Sequence, residues 1–166
     1  METVAIYWEA RIKTYGFQVV KDLVLCRYAI PADLSAPWDR AVERIEAGQG
    51  RFRLLSAQLG ETGDLDALML CDPDQGDQLA SHIVAEMPGA AGRRRQDIVP
   101  AELLFFQGPH FGDRFGVADF TYRALADQAD SLLAAVFSCA SIYLIFPDGG
   151  ADEAKARLAD AFRVPG

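Results

Sequence analysis

The residues best placed to do chemistry form one run, Gly108-Pro109-His110-Phe111-Gly112-Asp113-Arg114-Phe115-Gly116-Val117. An apolar stretch precedes it and a helical pattern follows, so the run carries the chain from a strand into a helix N-terminus. Unpaired N–H groups and the positive end of the helix dipole meet there, a setting that suits a carboxylate. Glycines at 108, 112 and 116 permit positive φ and close approach of backbone to a ligand. A ligand bearing a carboxylate would rest it on these amides, with Arg114 adding a charge-assisted bond and Asp113 able to meet any ammonium the ligand carries. The same residues also fit a plain glycine-rich turn in which Asp113 caps the helix and Arg114 lies in solvent. Both readings stay open. His110 could act as base or ligand, but no second histidine, cysteine or serine motif stands near it. His82 lies in a polar stretch and reads as a surface residue.

Other chemistry is thinly represented. There is no nucleophile elbow, phosphate-cradling loop, HExxH or dinucleotide fingerprint, and no acidic pair set for acid–base work, so no catalytic residue is assigned. Cys26, Cys71 and Cys139 are far apart in apolar runs, which predicts three buried free thiols; no metal site and no cofactor are expected. A net charge of −8 and a pI near 4.7 argue against nucleic acid and against an anionic membrane surface. The start, Met1-Glu2-Thr3, lacks the pattern of a signal peptide, and no apolar run is long enough to span a bilayer. The expectation is a cytoplasmic protein.

The elements that must position this loop follow from periodicity. Thr3–Tyr7 and Gln18–Ile30 read as strands, with Glu9–Gly16 between them ambiguous. Ser35 is the expected N-cap of a helix that carries Trp38, Ala41, Val42 and Ile45 on one face and stops at Gly48. Strands Arg51–Leu59 and Leu65–Cys71 flank Gly60, Gly63 and Asp64 and should form an antiparallel hairpin. Asp74 or Asp77 would cap a second helix bearing Leu79, Ala80, Ile83, Val84 and Met87. Pro88–Asp97, with Arg93-Arg94-Arg95, breaks the pattern as a solvated linker. Beyond it come a strand at Glu102–Phe106, a helix from about Gly116 to Asp127, strands Ser131–Cys139 and Ile142–Phe146 expected at central sheet positions, and a last helix capped by Asp152.

Both halves therefore run strand, helix, strand, strand, helix, and landmarks repeat: Pro31 with Pro109, Asp72-Pro73-Asp74 with Phe146-Pro147-Asp148. Gly112-Asp113-Arg114-Phe115-Gly116-Val117-Ala118, then Phe120, Arg123-Ala124-Leu125-Ala126, Leu132–Ser138 and Asp152–Phe162 carry a family likeness. Over about Glu102–Arg163 the chain resembles an ACT domain, the regulatory module of aspartokinases and other enzymes of amino-acid metabolism. The family loop reads Asp-Arg-Pro-Gly; here Phe115 replaces the proline, and in the first half Pro37 is followed by Trp38 where the family has glycine.

The resemblance implies an α+β fold of two ferredoxin-like, ACT-like βαββα(β) units, antiparallel sheets with helices on one face. The expected division is 1–88 with an extra N-terminal strand, a linker at 89–98, and 99–166. It also implies a non-enzymatic regulatory protein that senses an amino acid through Gly108, Pro109, His110, Phe111, Gly112, Asp113, Arg114, Gly116 and Val117. ACT units pair side by side, so a homodimer through sheet edges or helices is expected. One alternative is an assembly module that has lost its ligand. The other is a small enzyme on the same scaffold using His110, Asp113 and Arg114.

Overall fold

The computed structural model describes residues 11–48, 51–60, 63–86 and 95–164. The expected strand at Thr3–Tyr7 and most of the expected linker lie outside them. Ten elements follow in order: β1 (Phe17–Ile30), α1 (Ser35–Ala47), β2 (Phe52–Leu59), β3 (Leu65–Cys71), α2 (Pro73–Glu86), β4 (Arg95–Gln107), α3 (Val117–Ala124), β5 (Ala134–Phe137), β6 (Ser141–Pro147) and α4 (Ala151–Ala161). Short 3-10 turns precede α1 (Ala32–Leu34) and follow α3 (Ala126–Ser131). The strands hydrogen-bond in the order β2-β3-β1-β4-β6-β5. The pairs β1–β3, β2–β3 and β5–β6 are antiparallel.

Two compact units emerge, with boundaries unlike those expected. One joins Met1–Lys21 to Glu102–Gly166; the other is Asp22–Ala101. The expected borders at 88 and 99 are corrected because β4 begins at Arg95, so Asp97 and Ile98 are strand rather than linker. Two long strands, β1 and β4, each pass from one unit into the other.

In the 22–101 unit the core joins Cys26, Tyr28 and Ile30 of β1 and Ala67, Met69 and Cys71 of β3 to Trp38, Ala41 and Ile45 of α1 and Leu79 of α2. Alternate strand positions face both helices, the period-2 pattern of a half-covered sheet. Trp38 leans on Tyr28 with ring centroids 5.0 Å apart. In the other unit Leu104 and Phe106 of β4 and Ile142, Leu144 and Phe146 of β6 meet Val117 of α3 and Ala154 and Leu158 of α4. Phe162 sits among Phe17, Phe106, Phe111 and Phe120 at centroid distances of 5.0–6.4 Å. Each such ring contributes about 1.5–3 kcal/mol by leaving water.

Several local expectations change. Ser35 is the first residue of α1 rather than its cap, because the 3-10 turn feeds the helix directly and no side chain caps it. Asp74 lies in the first turn of α2, which opens at Pro73, and Asp152 in the first turn of α4, whose N-cap is Gly150. α3 ends at Ala124, where the chain tightens into the 3-10 turn. β5 is only four residues long and stands at the end of the strand order, not at a central position. Its far end is cut short by a tight turn in which Ser138 N–H donates to the Ser141 carbonyl at 2.9 Å. Cys26 and Cys71 are buried as expected, but Cys139, in that turn, is exposed.

Candidate functional site

The site lies in the unit that holds α3, at the end of β4. Gln107 is held there from two sides. The Thr14 hydroxyl, fully buried, donates to the Gln107 carbonyl at 2.6 Å, and the Tyr15 N–H donates to the same oxygen at 2.8 Å. The Gln107 side-chain amide donates to the Ser141 hydroxyl at 3.1 Å. Thr14 and Ser141 were not singled out from sequence; their partners lie far along the chain, so spacing gives no signal for them.

From Gln107 the chain crosses nine residues before α3. Gly108 is buried, and a Cβ on it would lie 2.5 Å from the Lys13 carbonyl oxygen and against the Phe111 ring. Only glycine fits without displacing that backbone. Phe111 turns inward onto Phe106 and Phe162, at 5.9 and 6.4 Å between centroids. It anchors the loop from below, and its ring and the Val117 side chain, also buried, belong to the core. Gly112 rests against the backbone of Cys139.

The outward side of the loop carries the polar residues. His110 has φ 64°, a left-handed conformation in which histidine is tolerated more often than most residues. The Asp113 N–H donates to the His110 carbonyl at 3.2 Å. The His110 Nδ1 stands 3.6 Å from the Asp113 carboxylate, with the two side chains 50% and 76% exposed, so the pair is charged on both sides only when the imidazole is protonated. Pro109 and Arg114 are half-buried. Phe115, fully exposed, projects into solvent.

Gly116, at φ 82°, is the N-cap of α3 and brings no side chain to cap it. Asp113 does not cap it. Asp119, in the first turn, pairs instead with Arg123 at 3.0 Å. Helix geometry leaves the first-turn amides of α3 without intrahelical acceptors, and they meet the positive end of the dipole. Sequence reasoning had joined Asp113 and His110 to this cradle; the structure brings those two together at the surface.

The other helix N-terminus of this unit is built differently. The Ala151 N–H of α4 donates to the Glu102 carboxylate at 3.0 Å, and Glu102 is only 2% exposed. Lys21 Nζ lies 4.0 Å from the other Glu102 oxygen and 2.5 Å from Asp152. The hydrogen bond to Asp152 raises the Lys21 pKa and the same bond lowers that of Asp152, both groups being open to water. Among the described residues no cluster of histidine, cysteine and acidic side chains could hold a metal ion. Nor, among the described residues, is any helix long and apolar enough to cross a membrane.

No family model matches the chain, and no curated protein matches it. Solved structures do. The ligand-free regulatory subunit of aspartate kinase from Thermus thermophilus superposes with a TM-score of 0.72 and 14% identity, over 90% of this chain and 99% of that one. The regulatory subunit from Thermus flavus gives 0.73 and 12%, over 92% and 99%. Its fold is that of these regulatory subunits. Aspartate kinase from Synechocystis also matches, at 0.73 and 16%, over 95% of this chain and 29% of the enzyme. The resemblance to aspartokinase-type ACT units drawn from the sequence therefore holds at the level of the fold.

Proposed function

We propose that the chain is a non-enzymatic, cytoplasmic regulatory protein that senses an amino acid or similar small metabolite. In this reading its two units are ferredoxin-like and ACT-like, and the site is the loop Gly108–Gly116 above α3. The supporting observation is the α3 N-terminus: a glycine-rich loop whose N-cap, Gly116, brings no side chain to the helix, in a chain with the fold of aspartate kinase regulatory subunits. A carboxylate would take the first-turn amides, Asp113 the ammonium, and Arg114 a second bond to the carboxylate.

A thermal-shift screen against the twenty amino acids tests this. A ligand at a hundred times its dissociation constant adds about 2.7 kcal/mol, which for a chain of this size moves Tm by several degrees. The Asp113→Asn variant should lose most of that shift at unchanged Tm without ligand. No shift with any amino acid sinks the sensing reading.

One observation favours a second reading, an assembly module without ligand. Phe115 stands where the family loop has proline and is wholly exposed, as a contact residue would be. Uncovered strand edges invite pairing, and both readings expect a homodimer through sheet edges or helices; light scattering at micromolar concentration measures it. The enzyme reading gains no support, because His110 and Asp113 meet in open solvent, where water screens any polarisation of the imidazole.

A further inference from the structure

Cys26 on β1 and Cys71 on β3 are both fully buried in the 22–101 unit and play no part in the site above. Strand pairing sets Cys26 opposite Met69 and Val24 opposite Cys71. Directly opposed residues share a sheet face, so the two cysteines are diagonal neighbours on the same side. They belong to one core cluster with Tyr28, Met69 and Leu79. The chain of α2 presses onto them: a Cβ on Gly76 would lie 3.6 Å from the Cys26 sulfur. The thiols also act on each other. The Cys71 thiol, hydrogen-bonded to Cys26, holds the Cys26 pKa below the ordinary thiol value, while that contact and burial push Cys71 up. Cys26 is thus the sulfur that ionises first, and Cys71 keeps its proton beside it.

We infer that Cys26 and Cys71 are a modification site, a dithiol that a small hydroperoxide converts into a reversible disulfide tying β1 to β3. The Cys26 thiolate attacks one peroxide oxygen; the O–O bond breaks, hydroxide leaves, and Cys26 becomes a sulfenic acid. The Cys71 sulfur then attacks the Cys26 sulfur, its proton going to the departing hydroxyl as water. Two thiols give up two electrons and the peroxide takes them. Diagonal neighbours stand about 7–8 Å apart, past what an unstrained disulfide spans, so bonding must draw the strands together at the end of β3, and a thiol reductant reverses it. The pair lies inside the apolar core, so a reagent must be as small as hydrogen peroxide to reach it without unfolding.

The test uses the full chain. Brief alkylation of the native protein with iodoacetamide should cap only exposed Cys139. Hydrogen peroxide is then added and quenched, and the protein is unfolded in a second alkylating reagent. The expected result is no second label, a mass lower by two hydrogens, one peptide pair joining Cys26 to Cys71, and recovery of both thiols on reduction. In Cys71→Ala, peroxide should leave a sulfenic acid on Cys26 that dimedone traps once the quenched protein is unfolded in its presence. Free thiols after peroxide, a sulfinic acid on Cys26 beside a free Cys71, a bond between two chains, or a disulfide formed only in denaturant would each overturn the proposal. The wild-type labelling decides the matter even if the variant fails to fold.

Discussion

Within one unit, two helices start just after a strand, and their N-termini have been treated in opposite ways. At α4 the chain supplies its own anion: Glu102, buried on β4, accepts from the Ala151 amide, and Lys21 and Asp152 complete the charge pattern around it. At α3 the N-cap is Gly116, with no side chain to offer, and the one acidic residue in its first turn is engaged with Arg123. The dipole and the orphan amides are common to both. What differs is whether a carboxylate is part of the fold. A buried Glu102 makes α4 a structural joint; under the sensing proposal α3 is where a carboxylate from outside would bind. The 22–101 unit has no comparable loop: between β1 and α1 stand only Pro31 and one 3-10 turn, and Trp38 packs against Tyr28.

The largest effect should come from breaking the self-supplied cap. Glu102→Ala removes a buried acceptor and leaves the Ala151 amide unsatisfied, a loss of about 1.5–3 kcal/mol for a bond to a charged group. Urea unfolding should show the lower midpoint at unchanged slope, and any amino-acid shift at α3 should survive. A change within about 0.5 kcal/mol, the range of ordinary surface substitutions, would mean that α4 does not depend on this carboxylate and that the contrast with α3 is empty.

Next comes a change that narrows the loop above α3. A methyl group at Gly108 meets the Phe111 ring and the Lys13 carbonyl. Overpacking of this kind costs about 1–3 kcal/mol. In Gly108→Ala the loop must shift, so both Tm and any amino-acid shift should fall together. Full stability with a lost ligand response would show that the glycine serves the ligand directly and not the seating of Phe111.

Much of this architecture can be read from residue order, and the remainder fails for physical reasons. Strand β3 was bounded correctly at Leu65–Cys71 because glycine turns and apolar alternation are local signals. The α3 loop was likewise found from its glycines. Glu102 was invisible: a single carboxylate at the head of an apolar strand looks like an ordinary strand end, and its partner is Ala151, far down the chain. Phe111 looked like a loop residue because nothing local says that Phe162 waits beneath it. The start of β4 was masked by Asp97 and Pro100, residues that argue against a strand until pairing overrides them. The chain passes from one unit to the other at Asp22, whose φ of 57° no pattern announces; on either side of it the core-facing residues change from Phe17 and Val19 to Val24, Cys26 and Tyr28.

The smallest effect sharpens the same contrast at its rim. Lys21 and Asp152 are exposed, so solvent screens their pairing and the contribution is slight. Its sign with pH is nonetheless fixed. The depressed Asp152 carboxyl contributes stability above its unfolded value near 4, and this is lost as pH falls through the folded pKa. The raised Lys21 ammonium contributes below its unfolded value near 10.4, lost as pH climbs through the folded pKa. Wild type should therefore exceed Asp152→Asn in Tm across the neutral range, with the gap closing at both extremes and shrinking in molar salt. A gap that persists below pH 2 would mean that Asp152 acts through something other than its charge. The α4 joint would then rest on Glu102 alone, with the flanking ions as ornaments of the surface.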